Sequence, residues 1–256
     1  MSNPMPKRVN VQEPSVARIY DYFLGGKDNF AVDRQSTKTF TDRFPDVVDN
    51  ARHNRAWVTR VVEYLANRGV DQFLDIGSGL PTGRNVHQVA QRAVPDVKVV
   101  YTDNDPIVNA HGRAALGGDP NTHYLEADAR DPGPILECAA EHLDLQRPVA
   151  VLFAALLHWI PEEPATVTAP YMAAMPSGSF LAVSHVTDQD APAEFTAQLQ
   201  AQYGDRMWPR PISAIEATLD GMELVGDAIT DVQRWRADPS APRCTQRLIG
   251  AVGRKP

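Results

Sequence analysis

A doubly wound, mostly parallel α/β sheet preceded by a helical extension is the architecture this sequence predicts, and three observations predict it. From Asp71 onward, short apolar, β-branched runs alternate with segments long enough for a helix, the texture of βαβ units. The first run leads into a glycine turn, Gly77-Ser-Gly79-Leu-Pro-Thr-Gly83. Ahead of it, Pro14 to Arg68 carries helical periodicity instead. The division places a helical extension or lid at residues 1–70 and a sheet domain at residues 71–256.

Element by element, Val16, Ile19, Tyr20, Phe23 and Leu24 form one face of a first helix, with Pro14 in its first turn and Gly25-Gly26 as its stop. A short helix follows with Asp33 as N-cap. After Pro45 a long helix runs from about Asp46 to Arg68 and closes at Gly69. Strands are expected at Gln72–Ile76, Val97–Tyr101, His123–Leu125, Val149–Phe153 and Phe180–Ser184. Helices are expected between them at Gly83–Ala93, Pro106–Leu116, Pro132–Leu143 and Pro164–Met175. The last third adds a helix near Ala191–Gln202, a capping box at Ser213-x-x-Glu216, and strands at Glu223–Val225 and Gln246–Val252.

Composition narrows the function. The 256 residues carry 25 Lys+Arg against 32 Asp+Glu, a formal charge of −7, which argues against a nucleic-acid partner. Two cysteines without a C-x-x-C pair argue against a disulfide framework or a metal cluster, so no metal is expected. The longest apolar run, Val149–Ile160, is too short to span a bilayer, and Met1–Gln12 lacks a signal peptide's apolar stretch. The expectation is a soluble, cytoplasmic protein with no membrane partner. The oligomeric state is not legible, and a homodimer is compatible with the sequence.

The chemistry gathers where strands end. Asp75 closes a buried strand, and in the turn Gly77-Ser78-Gly79, a candidate cofactor contact, the two glycines let a ligand approach the backbone without a Cβ in the way. Asp103-Asn104-Asp105, at the end of the next strand, offers an acid that can accept both hydroxyls of a ribose. Asp128 and Ala129 follow the third strand, where an acid can accept from an adenine amino group. The alternative for each is a solvated loop carboxylate. A dinucleotide needs G-x-G-x-x-G to cradle its pyrophosphate, and here the third glycine is displaced by one, to Gly83. S-adenosylmethionine carries no phosphate, and the spacing favours it over NAD. On the long helix Asn54 and Arg55 fall on the apolar stripe Val47, Ala51, Val58, Val61, Val62 and Leu65. Arg55 suits the cofactor's methionine carboxylate, and equally an internal salt bridge. Lys27, beside Gly25-Gly26, reads either as part of a segment that closes over a pocket or as a surface lysine beside a plain helix cap.

Pro14–Phe30, Asn54-Arg55, Phe73–Thr82, Tyr101–Pro106, Leu157-His-Trp-Ile-Pro161 and the closing Gly250–Pro256 together resemble one family. It is an actinobacterial group of S-adenosylmethionine-dependent methyltransferases first catalogued as a domain of unknown function. The resemblance implies a class I methyltransferase-like, doubly wound seven-stranded sheet with the last strand antiparallel. It also implies cofactor contacts at Gly77, Gly79, Asp103, Asn104, Asp128 and Ala129. The sequence departs from the family at Trp159, usually Phe, at Pro161-Glu-Glu-Pro164, usually an Asp-rich turn, and in the more apolar Ala165–Met175.

Methyl transfer is an in-line displacement, so positioning supplies most of the catalysis. His158, just past the fourth strand, is the first candidate for a base or orienting group, and His185 the second. His158 could equally cap a helix or pack on the cofactor. Tyr20, Tyr22, Phe23 and Trp159 are candidate walls for an aromatic or apolar acceptor. Three functions are carried forward. They are a methyltransferase on a small molecule of specialised metabolism, a protein that binds S-adenosylmethionine without methyl transfer, and, least supported, an NAD-dependent oxidoreductase.

Overall fold

A computed structural model describes residues 10–116, 118–226 and 229–256, so the reading of Met1–Gln12 lies mostly outside the described residues. Three helices open the chain: α1 (Val16–Leu24), α2 (Ala31–Arg43) and α3 (Val47–Ala66). Pro14 is outside α1, because Ser15 takes the N-cap position with extended dihedrals. Gly25 ends the helix in the left-handed region at φ 80°. Gly26 is required by packing: a Cβ there would lie 1.9 Å from Asp21 Oδ1. That carboxylate accepts from the Asp28 amide at 2.9 Å and the Asn29 side chain at 2.8 Å, so the Gly-Gly-Lys-Asp-Asn turn is wrapped around Asp21.

Asp33 is not the N-cap of α2. Phe30 holds that position and Asp33 sits three residues on, reaching back to accept from the Phe30 amide at 2.8 Å. The same carboxylate accepts from the Ser15 amide at 3.0 Å and pairs with Arg18 Nε at 2.8 Å, both side chains being buried. One acid thus ties the starts of α1 and α2 together. On α3 the expected stripe is buried, with Trp57 added to it. Trp57 rests on the sheet where Gly250 leaves room, since a Cβ at Gly250 would lie 2.7 Å from Trp57 Nε1.

The strands are β1 (Gln72–Ile76), β2 (Lys98–Asp103), β3 (Thr122–Glu126), β4 (Ala150–Ala154), β5 (Phe180–Thr187), β6 (Glu223–Leu224), β7 (Thr230–Asp231) and β8 (Arg247–Arg254). Their order is β3-β2-β1-β4-β5-β8-β6, with β7 also beside β8. β1 to β5 are parallel, and β8 runs antiparallel to β5. The two-residue β7, not foreseen in the sequence, brings the described strands to eight. The order reverses between β1 and β4, which opens a crevice at the carboxyl ends of the strands.

The connecting helices are α4 (Val86–Ala90), α5 (Pro106–Leu116), α6 (Pro132–His142), α7 (Pro164–Ala174), α8 (Ala193–Tyr203) and α9 (Ile212–Glu216). α4 is half the predicted length, because Asn85 caps it with Gln88 and the residues from Pro81 onward stay in the loop. β5 runs three residues past its predicted end, paired with β8 as far as Thr187 opposite Arg247. The Ser213–Glu216 capping box does not form; Pro211 precedes α9 and Ser213 lies inside it. One apolar core packs α1–α4 and α8 on one face of the sheet, and a second packs α6, α7 and α9 on the other. A small third cluster seats Ala17 of α1 against Leu80 of the glycine turn and Ile107 and Val108 of α5.

Candidate functional site

At the end of β1 the chain turns sharply because Gly77 and Gly79 adopt φ of 71° and 67°. The Gly77 and Ser78 amides donate to the Thr102 carbonyl at 2.8 and 3.0 Å, which sets the turn against β2. A Cβ at Gly77 would strike Leu156 at 2.6 Å, whereas one at Gly79 would meet nothing within 4 Å. The first glycine serves packing, and the second leaves its backbone bare toward the crevice.

Asp103, at the end of β2, accepts from the Gly79 amide at 2.9 Å and from the Asp105 amide at 2.9 Å. Each oxygen keeps a second lone pair for a ligand hydroxyl. Burial, with the charge of Asp105 adding to it, pushes this carboxyl up to about 6, against the Asp105, Gly79 and Asn104 amides that pull it down. Asp75 is pushed up to about 7 by burial, with the charge of Arg55 lowering it and that of Asp103 raising it. Asp105 caps α5 through the Ile107 amide at 2.8 Å and accepts from Ser15 Oγ at 2.6 Å, pinning the start of α1 over the crevice. After β3, Asp128 pairs with Arg130 at 2.6 Å, and the Ala129 carbonyl accepts from Tyr171 Oη at 2.8 Å.

Arg55 reaches the same crevice from α3. Its Nη2 donates to Thr82 Oγ1 at 2.8 Å and to the Arg84 carbonyl at 2.7 Å, and its shielded Nε has no partner. Its charge acts on Asp75 without a direct ion pair among the described residues, so the internal salt bridge is not formed.

These groups line one cavity of about 820 Å³, which continues from the strand ends to the inner face of α1–α3. Asp75, Gly77, Ser78, Gly79, Asp103, Asn104, Asp128, Ala129 and Arg55 all border it, as do Tyr20, Phe23, His158 and Trp159. His158 is buried, 3% exposed, in a short 3₁₀ turn over Leu157–Trp159. Its Nδ1 accepts a long bond from the Val186 amide at 3.4 Å, which leaves the neutral ring's proton on Nε2. Burial, reinforced by His185, holds it well below the ordinary histidine value, so it is uncharged at neutral pH.

Three candidates lie off the cavity wall. Tyr22 faces solvent, 38% exposed, because Ile19 and Phe23 set the buried side of α1. Lys27 is exposed on the turn around Asp21. His185 is 0% exposed inside β5, with Nδ1–H donating to the Val186 carbonyl at 2.7 Å, and burial pushes it down to about 4.

Other wall residues carried no usable sequence signal. Phe40 reaches the cavity from α2, Tyr203 from the end of α8, and Met207 and Trp208 from the segment after it. Ala155, at φ 54°, holds a left-handed conformation costly for a residue with a Cβ. It is held by bonds from its amide to the Ser184 carbonyl at 3.1 Å and to Ser184 Oγ at 2.9 Å. Alanine is not enriched at such positions, so only the fold reveals it.

A β3-β2-β1-β4-β5 parallel sheet with an antiparallel β8, carrying a glycine turn after β1 and acids at the ends of β2 and β3, is the fold of class I methyltransferases. A model of the S-adenosyl methyltransferase family matches residues 2–256, and the chain belongs to that family. It is similar to a DUF574 family protein of Streptomyces avermitilis, at 36% identity over 97% of this chain and 100% of that one, with a TM-score of 0.91. It is also similar to a Thermobifida fusca protein, at 35% identity over 99% of each chain, with a TM-score of 0.89. The magnesium protoporphyrin IX methyltransferase of Synechocystis, solved with S-adenosylhomocysteine, shares the fold at 13% identity over 82% of this chain and 87% of that one, with a TM-score of 0.52. No curated protein matches the chain. Among the described residues no helix is long and apolar enough to cross a membrane, and no group of three or more metal-ligating side chains is assembled.

Proposed function

We propose that this S-adenosylmethionine-dependent methyltransferase methylates a small molecule of specialised metabolism, held between the strand ends and the N-terminal helices. The observation that carries this reading is the single cavity joining the acid-lined strand ends to an aromatic wall. Residues 71–256 serve as the cofactor domain and residues 1–70 as its cover.

The residues present suit the cofactor. Gly79 leaves a bare backbone, Asp103 has lone pairs for ribose hydroxyls, and Arg55 has a shielded Nε without a partner. In this reading Asp103 and Asn104 hold the ribose, Asp128 and Ala129 the adenine, Arg55 the methionine carboxylate, and Asp75 the cationic end. The cofactor supplies a methyl carbon whose bond to sulfur breaks, with the electron pair left on sulfur, as an acceptor lone pair bonds to that carbon. His158 orients the acceptor instead of removing its proton, since a ring held neutral well below its usual value is a weak base. Any proton on the acceptor atom passes to solvent.

The test is calorimetric titration with S-adenosylmethionine, S-adenosylhomocysteine and NAD, followed by mass spectrometry of candidate acceptors after incubation with labelled cofactor. Binding of both sulfur compounds and a mass gain of one methyl group on an added small molecule support the reading. Binding with no methylated product from any small-molecule extract counts against it.

A further inference from the structure

The cavity is divided by its own chemistry. Asp75, Asp103, Asp128 and Arg55 stand at or beside the strand ends, while the remainder is bounded by α1–α3, the Leu157–Trp159 turn and the Tyr203–Trp208 segment. In that remainder the charged wall residues among those described are few. Asp205 and Arg206 are exposed and opposite in sign, Glu13 ahead of α1 is exposed, and Arg18 is paired with buried Asp33. Most of its polar groups are already engaged, Asn50 Oδ1 and Gln246 Nε2 being the shielded wall atoms without a partner. Tyr20 Oη donates to the Ala51 carbonyl at 3.1 Å and accepts from Asn54 Nδ2 at 3.0 Å, while Asn54 Oδ1 accepts from Ser184 Oγ at 2.6 Å.

What remains is ring surface. Trp159 and Tyr203 meet edge to face at 5.2 Å, Tyr203 meets Phe40 at 6.1 Å, and His158 lies 5.4 Å from Trp159. Such walls favour a flat apolar body, because ring faces and edges gain from each other beyond simple burial. An ion entering this half would lose its water and meet no fixed countercharge in the interior. Resting on the reading of the site as a methyltransferase, we propose that the acceptor is an uncharged molecule with a flat aromatic body, seated against Trp159, Tyr203 and Phe40. His158 contributes an N–H to its polar edge, not a charge.

The experiment uses three flat phenoxazine dyes on the full chain saturated with S-adenosylhomocysteine: Nile red, which is uncharged, cresyl violet, a cation on the same four-ring skeleton, and resorufin, a three-ring anion. Fluorescence titration is expected to show Nile red bound at least about tenfold more tightly than either ion. Trp159→Ala and Tyr203→Ala should each weaken Nile red about fivefold with S-adenosylhomocysteine affinity retained. An ionic dye that equals or exceeds Nile red overturns the proposal, and so does Nile red binding that neither variant weakens. If one variant fails to fold, the other and the dye ranking still decide. Failure of S-adenosylhomocysteine to bind at all would instead sink the methyltransferase reading, before any dye is added.

Discussion

Ser184, at the carboxyl end of the sheet, donates to Asn54 on α3 at 2.6 Å, and this buried bond joins the N-terminal helices to the strand ends. Ser184 Oγ also accepts from the left-handed Ala155, and Asn54 passes the chain of bonds to Tyr20 on α1. Helices and crevice are therefore fixed by one polar network that crosses the cavity wall.

Asn54→Ala should destabilise the fold by about 1–3 kcal/mol, because the Ser184 and Tyr20 hydroxyls lose a buried partner. Chemical denaturation with a common slope measures it. A loss below a few tenths of a kcal/mol would mean the network adds nothing to docking of these helices.

Asp103→Ala should weaken S-adenosylmethionine by about 1–3 kcal/mol. It removes a ribose acceptor and the anchor of the Gly79 and Asp105 amides together. Calorimetry reads the change, and unaltered affinity would remove Asp103 from the site.

Cofactor affinity should rise with pH from about 5.5 to 8. The free protein holds Asp75 at about 7 and Asp103 at about 6, so both are partly protonated below neutrality. A cationic ligand favours the ionised forms, so binding releases protons and weakens as pH falls through those values. Calorimetry in two buffers of different ionisation enthalpy counts the protons. Asp75→Asn should flatten the profile, and an unchanged profile would refute the assignment.

Stability should carry an acid-side loss from His185. Its value is depressed to about 4 in the fold, from about 6.5 when unfolded, so the unfolded chain takes up the proton first. Its contribution is complete above pH 6.5 and is lost as pH falls toward 4, amounting to about 2 kcal/mol by pH 5. Asp75 and Asp103 act in the opposite sense, favouring the fold as pH falls, so the comparison is with His185→Asn. A variant whose stability falls as steeply between pH 6.5 and 5 would exclude His185 as a source.

Gly26→Ala should lower stability by about 1–3 kcal/mol, whereas Lys27→Ala should leave it within about 0.5 kcal/mol. A Cβ at Gly26 collides with the Asp21 carboxylate, while the Lys27 side chain is solvated. Thermal melts of the two variants side by side test the contrast.

The sheet was legible because its signals are local. β1 matches the predicted Gln72–Ile76, and α5 matches Pro106–Leu116. The acids after β2 and β3 were legible too, since parallel strands deliver their carboxyl ends to one edge whatever the rest of the chain does. Local signals failed where a distant partner competed. Asp33 reads as a cap in isolation, yet Arg18 and the Ser15 amide draw it three residues inside α2. Tyr22 and Phe23 are neighbours in sequence, but only the docking of α1 decides which ring faces solvent. His158 and His185 look alike in the chain, and the packing of β5 closes one in while the cavity receives the other.

By itself the sequence determined the alternation of strands and helices, the glycine turn and the acids that follow three strands, because periodicity and strand-end position are properties of neighbouring residues. Only the tertiary structure decided which rings wall the cavity beside α1–α3, that Arg55 forms no ion pair with an acid among the described residues, and that burial holds both histidines below their ordinary value. Those outcomes depend on desolvation and on contacts between segments more than a hundred residues apart, such as Asn54 with Ser184, and no local pattern encodes them.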